Sequence, residues 1–142
     1  MRSRGLDAEG IIPALEAALL SKYLVRQSDV VPYSPANHVG TRNYRLIGPE
    51  TVGARRVEML IGELERGKGA LPHAHPGIEQ VCYLLEGEAH VEVAGEKFDM
   101  KPGEACFFPA ETQHLFVATS ERAKVMVIYA PPYGEDPKKV LR

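Results

Sequence analysis

Residues 67–87 read GKGALPHAHPGIEQVCYLLEG, the most informative stretch of the chain for its architecture. Two histidines one residue apart, His73 and His75, precede an apolar run, Gln80–Leu85, that stops before Gly87. On a β-strand, residues two apart point to the same face, so a His-x-His pair can direct two imidazoles at one ion. The stretch therefore predicts a pair of metal ligands on one strand, followed by a second strand over Gln80–Leu85.

The same strand pattern continues on both sides of this stretch. Short segments with a hydrophobic period of two, or short apolar runs, occur at Val57–Leu64, Gln80–Leu85, Ala89–Val93, Lys97–Met100, Ala105–Phe108, Leu115–Ala118 and Val125–Tyr129. Turn residues separate them, as at Ala94-Gly95 and Lys101-Pro102-Gly103. Strands at such short spacing are typical of an all-β sandwich or barrel.

The two ends of the chain differ from this pattern. Apolar residues recur at helical spacing at Ile12, Leu15, Leu19 and Tyr23. This spacing, with proline in the first turn, predicts an amphipathic helix over Pro13–Lys22. Residues Val25–Pro49 predict an extended, looping arm, and Pro131–Arg142 predicts a tail over the surface. We expect a single domain with a helix and arm that pack on the barrel or a partner subunit (1–50), a barrel (51–130) and a C-terminal tail (131–142).

Composition excludes several classes of partner. The chain has 142 residues and a formal net charge of −2. It contains no Lys/Arg cluster, so we expect no nucleic-acid partner, and it has no apolar run of membrane-spanning length. Residues Met1–Gly10 lack the apolar core of a signal peptide, so we expect a cytoplasmic protein. In that compartment Cys82 and Cys106 are predicted to be buried free thiols.

A third histidine completes a longer pattern. Residues 103–114 read GEACFFPAETQH and end at His114. Together with residues 67–87, this segment resembles the two sequence motifs of the cupin family, over about Val57–Tyr129. The resemblance implies a cupin-type double-stranded β-helix (jelly-roll) barrel, all-β apart from the N-terminal helix and extended arm. It also implies a homodimer.

The resemblance also implies a metal site. The family's ligand histidines fall on His73, His75 and His114, and its acidic ligand falls on Gln80. Glu79 is the alternative, since the family also tolerates a shorter spacing after the second histidine. Adjacent strand residues face opposite ways, so one of the two points inward, and the count back from Gly87 favours Gln80. We expect one divalent transition metal (Fe, Mn, Ni, Co, Cu or Zn), because imidazole and amide ligands do not select among them.

A neutral Gln80 leaves the full charge on the ion, which favours Lewis-acid chemistry over oxidation. Similar small cupins with this spacing suggest a sugar-acid-like substrate and an isomerase or lyase reaction. Two alternatives remain open, a dioxygenase of a diketone or phenol and a ligand-binding cupin without turnover. No catalytic base is assigned. Weak candidates are Tyr83 and Glu79, followed by Tyr129, Arg56 and Arg45.

Three further positions complete the expectations. Glu111 stands where the second motif more often has a glycine, and we expect it to change the loop and spare the metal. His90 alternates with apolar residues on its strand and is predicted to face outward. His38 has no supporting context.

Overall fold

Two antiparallel sheets face each other around one core. The computed structural model describes residues 21–35 and 40–142. Its strands are β1 (Thr41–Ile47), β2 (Glu58–Glu65), β3 (Gly69–His73), β4 (Glu79–Glu86), β5 (Ala89–Val93), β6 (Glu96–Met100), β7 (Ala105–Phe108), β8 (His114–Ala118) and β9 (Arg122–Ala130). One sheet has five strands in the order β1-β2-β9-β4-β7, and the other has four in the order β3-β8-β5-β6.

The period-two pattern explains which residues form the core. Alternate residues of β9 are buried, and the same holds for the middle of β4 and for β8. The inward-facing side chains interdigitate between the sheets, with Leu84 and Val91 fully buried and Phe108 nearly so. Each buried aliphatic side chain contributes about 2 kcal/mol of hydrophobic free energy. The all-β cupin architecture expected from the sequence is confirmed.

A glycine sets the corner after β4. Gly87 has a φ of +85°, and a β-carbon there would lie 2.2 Å from the Arg122 carbonyl oxygen. A residue with a side chain would need both a strained backbone and a displaced neighbouring strand. This requirement gives a physical reason for a glycine at the end of the first motif.

The expectations for the N-terminal helix and for the arm need correction. The helix predicted over Pro13–Lys22 is not supported: most of it lies outside the described residues, and Ser21 and Lys22 are not helical. Within the predicted arm, residues 41–47 form β1, which pairs with β2 along its length. Because β1 is an edge strand, most of its side chains are half-buried, and its sequence shows no clear alternation of apolar and polar residues. The short 3₁₀ turns at Gln27–Asp29 and Pro137–Lys139 are the helical segments among the described residues.

The C-terminal tail is also more than a surface segment. Tyr133 is buried, and Leu141 forms a bridge with Ala74 beside the predicted ligands. This pairing could not be predicted because the tail lacks a strand pattern. Within the described part of the chain we find no helix with the length and apolar character that crossing a membrane requires.

Candidate metal centre

Three histidines meet between the sheets. His73 ends β3, and its register partner across the sheet is His114 at the start of β8. His75 follows two residues later, just after the bridge that Ala74 makes with the tail. The three side chains are 5 %, 2 % and 3 % exposed for His73, His75 and His114. Their ligand nitrogens all lie within 4.8 Å of one another, so this group could hold a metal ion.

Each imidazole is oriented by a backbone carbonyl. Nδ1 of His73 is 2.6 Å from the Leu71 carbonyl oxygen, and Nδ1 of His114 is 2.9 Å from that of Thr112. Nδ1 of His75 is 2.8 Å from the carbonyl oxygen of Lys139 in the tail. A carbonyl oxygen only accepts hydrogen bonds, so each Nδ1 carries the proton and donates it. The three Nε2 atoms are then left with free lone pairs, the arrangement that metal-binding histidines adopt.

The Nε2 atoms fit a cation. Nε2 of His73 and Nε2 of His75 are 3.1 Å apart. Two nitrogens that bind one ion at ~2.05 Å lie roughly 2.9 Å apart at a right angle and 3.3 Å apart at a tetrahedral angle. Nε2 of His114 is buried and has no hydrogen-bond partner among residues 21–35 and 40–142. Converging lone pairs without a donor repel one another, so a bound cation resolves the arrangement.

Burial keeps these imidazoles neutral. It is the largest influence on all three, and it lowers the pKa of His75 to about 4 and that of His114 to about 3. The pKa of His73 is also lowered by burial. At neutral pH a metal therefore does not have to displace protons from the ring nitrogens.

Gln80 faces the interior of the protein, and Glu79 does not. Gln80 is buried on β4, and Glu79 is exposed. The register partners of Gln80 are Phe108 and Tyr129. The Phe108 ring stacks on the His114 ring at 4.0 Å between centroids, and the Tyr129 ring lies edge-on to His75 at 5.4 Å.

The Gln80 amide is only partly satisfied. Its Nε2 donates to the Cys82 sulfur at 3.5 Å, and its Oε1 is buried with no partner in the described chain. An orphaned amide oxygen is costly inside a protein, and a bound cation would satisfy it.

A small cavity adjoins Gln80. It measures about 60 Å³, and its walls include Gln80, Cys82 and Tyr129 together with residues of the edge strands β1 and β3. Cys82 and Cys106 are both free and lie directly opposite each other across β4 and β7, with Cys82 buried as predicted and Cys106 half-buried. A cavity of this volume admits only a few non-hydrogen atoms.

The weaker catalytic candidates do not gather here. Tyr83, Arg56 and Glu79 are exposed. Tyr129 is buried against His75, whereas Arg45 pairs with Glu58 at 2.6 Å. His90 binds Asp99 and Glu92 on the outer face of its sheet, as expected. His38 lies outside the described residues.

Two contacts at the centre were not expected from the sequence. One is the Lys139 carbonyl, which no residue pattern could reveal because it is a backbone atom. The other is Glu111, which adopts a φ of +61° in place of the usual glycine. Its backbone N–H donates to the His75 carbonyl oxygen, and its carboxylate accepts from the Gly77 N–H. Glu111 thereby joins the two loops that carry the histidines.

Comparisons with known proteins agree with this architecture. The family model described as a cupin domain matches residues 60–129. The polyketide synthase CurC of Streptomyces cyaneus is 27 % identical over 118 residues, which cover 83 % of this chain and 77 % of CurC.

Solved structures show the same fold. KdgF from Halomonas sp. superposes with a TM-score of 0.70 at 21 % identity, covering 79 % of this chain and 96 % of KdgF. The polyketide cyclase RemF from Streptomyces resistomycificus has a TM-score of 0.65 at 26 % identity, covering 77 % of this chain and 79 % of RemF. With the two motifs, the double sheet and the inward histidines, the family match shows that residues 60–129 of this chain form a cupin domain.

Proposed function

We propose that this protein is a metal-dependent enzyme whose ligands are Nε2 of His73, His75 and His114 together with Oε1 of Gln80. The observation that carries the proposal is the set of four neutral donors, three of them fixed by backbone carbonyls and two of them buried without a partner. Bound there, a divalent ion acts as a Lewis acid that polarises a substrate oxygen and stabilises negative charge on it.

The charge of the donors favours non-redox chemistry. Four neutral ligands leave a charge of +2 on the ion, whereas a glutamate at position 80 would cancel one unit. The uncompensated charge attracts a carbonyl or enol oxygen more strongly and makes a +3 state harder to reach. This supports an isomerase, lyase or cyclisation reaction over oxygen-dependent cleavage.

The relatives narrow the substrate class. Two proteins whose names refer to polyketides are 26–27 % identical to this chain over more than three quarters of its length. We therefore favour a substrate with several carbonyl or phenolic oxygens over a sugar acid.

The residues around the ion would orient the reacting end of the substrate and exclude water. The buried faces of Phe108 and Tyr129 contact the His114 and His75 rings, which gives the centre apolar walls. Such walls lower the local dielectric and strengthen the attraction between the ion and an anionic oxygen. Burial raises the pKa of the Tyr129 hydroxyl well above its ordinary value, so this group stays protonated and is not a base.

The test combines metal analysis with turnover. We expect the purified protein to retain about one divalent ion per chain. We also expect the zinc form to convert a poly-β-ketone model substrate under nitrogen, with the product detected by mass spectrometry. The matched pair is His114→Ala, which should lose both ion and activity, and His90→Ala, which should keep both.

Three results would overturn the proposal. Wild-type protein that takes up no ion would remove the metal centre. Turnover that requires oxygen and a redox-active metal would establish the dioxygenase instead. Tight binding of the substrate without any product, across both polyketone and unsaturated sugar-acid substrates, would establish a binding protein.

A further inference from the structure

We propose that the C-terminal segment, residues 131–142, is part of the metal centre, and that Glu58 is the positioning residue that fastens it there. This inference rests on the proposed metal site and assigns roles to residues that do not themselves contact the ion. We call residues 131–142 the strap.

The strap holds the loop that carries His75. The Lys139 carbonyl oxygen accepts the hydrogen bond from His75 Nδ1 at 2.8 Å. One residue before His75, Ala74 exchanges two backbone hydrogen bonds of 2.7 Å with Leu141. The Tyr133 ring packs on the His75 ring with 4.4 Å between their centroids. His75 is therefore enclosed by the strap on its Nδ1 side and on one ring face.

Glu58 anchors the other end of the strap. Its side chain is 1 % exposed at the start of β2. One carboxylate oxygen accepts from the N–H groups of Tyr133 and Gly134, both at 2.9 Å, and the other accepts from Arg45 Nε at 2.6 Å. A buried carboxylate is tolerated only with such partners, because its desolvation is costly. Two of these three bonds go to the strap. Holding the strap therefore explains the buried carboxylate of Glu58 better than a packing role does.

The strap selects the tautomer that binds metal. With Lys139 present, the proton of neutral His75 stays on Nδ1 and the lone pair of Nε2 faces His73 and His114. Without that carbonyl, the two tautomers of His75 become comparable in energy, and the ring loses its fixed orientation. Partners of this kind commonly change metal affinity by 10- to 100-fold.

The experiment separates positioning from general stability. The variants are a chain ending at residue 138, Glu58→Ala and Glu58→Gln, and the control is His90→Ala. His90 lies on the outer face of its sheet, where it contacts Asp99 and Glu92. Two readouts are measured, namely the ¹⁵N chemical shifts of the His75 ring in metal-free protein and the zinc affinity by competition with a chromophoric chelator.

We expect His75 in the wild type and in His90→Ala to be the Nδ1–H tautomer, with zinc affinities within twofold of each other. The chain ending at 138 should show mixed tautomers and bind zinc at least tenfold more weakly. Glu58→Ala should behave similarly. Glu58→Gln should lose severalfold less zinc affinity than Glu58→Ala, because its amide oxygen still accepts from Tyr133 and Gly134, although its amide nitrogen cannot accept from Arg45.

Wild-type ring shifts and affinity in the chain ending at 138 would overturn the inference, as would equal losses in Glu58→Gln and Glu58→Ala. If Glu58→Ala does not fold, the other two variants decide. Failure of the proposed function is distinguishable: a wild type that binds no zinc would refute the metal site, whereas the ring shifts in metal-free protein report on the strap alone.

Discussion

Acidification should destabilise the metal-free protein before its ordinary carboxylates titrate. Burial lowers the pKa of His75 to about 4, whereas the unfolded chain takes up this proton near 6.5. Stability from neutral His75 is therefore present in full above pH 6.5 and is lost as the pH falls toward 4. The shift of 2.5 units, at about 1.4 kcal/mol per unit, gives a loss of about 3 kcal/mol at pH 4. His114, with a pKa of about 3, changes stability in the same direction.

An exposed histidine acts in the opposite direction. Hydrogen bonds to Glu92 and Asp99 raise the pKa of His90 above its ordinary value. The stability that charged His90 contributes is present below pH 6.5 and is lost as the pH rises through its raised pKa. We therefore expect maximal stability slightly below neutral pH, and His90→Gln should shift the maximum upward and leave the steep acid limb unchanged.

The assay is urea unfolding of chelator-treated protein at several pH values between 7.5 and 4.5, compared with His75→Gln. The difference between the two proteins isolates His75 from all other titrating groups. Zinc at 100 times its Kd at pH 7 should add about 2.7 kcal/mol at pH 7 and nearly as much at pH 5, because the lowered pKa values of His75 and His114 leave few protons to compete with the ion. A free energy of unfolding of the wild type that stays constant from pH 6.5 to 4.5 would refute the argument that these histidines are buried in their neutral form. The same holds if the free energy of unfolding of His75→Gln falls by an equal amount.

Three further predictions concern the site and the core. His114→Ala should reduce metal uptake to below a tenth of an ion per chain by elemental analysis, and comparable uptake in this variant and in His90→Ala would contradict the three-histidine site. Gln80→Glu should bind zinc at least tenfold more tightly and turn over more slowly, since the carboxylate cancels one unit of charge, and an unchanged zinc Kd would argue against Gln80 as a ligand. Leu84→Ala, at a side chain that is 0 % exposed, should lower the free energy of unfolding by about 3 kcal/mol in urea titrations, against less than about 0.5 kcal/mol for exposed Leu71→Ala. Equal losses in those two variants would contradict the assigned core.

The sequence was informative where hydrophobic alternation is strong. The strands predicted over Ala89–Val93 and Ala105–Phe108 have the observed bounds, and the one predicted over Gln80–Leu85 is one residue longer at each end in the structure. These strands bury one face, so their side chains report the period directly. The strand β1 was missed because its side chains are mostly half-buried, and its pairing with β2 is carried by the backbone.

Some parts of the candidate site were predictable from the sequence and others were not. The resemblance to the two cupin motifs predicted a convergence of His73, His75 and His114 that the structure contains. Strand pairing places His73 opposite His114, whereas His75 lies two residues beyond the end of β3 and is not on the strand expected for the pair. The Lys139 carbonyl and the anchor at Glu58 could not be predicted. Their roles depend on a tail that reaches the centre by tertiary contact, over a separation of 64 residues in the case of His75 and Lys139.

The electrostatics around the centre bear on the choice of substrate. The buried carboxylate of Glu58 lies close enough to His75 to act on its pKa, but its charge is offset by Arg45 at 2.6 Å. Glu111 uses its carboxylate at an exposed loop contact, and Gln80 is neutral. Under the proposed function, neither the ligands nor the residues around them neutralise the positive charge of the ion. The missing negative charge has to come from the substrate, so the centre should favour molecules with an acidic oxygen, such as an enol, over neutral alcohols of the same size.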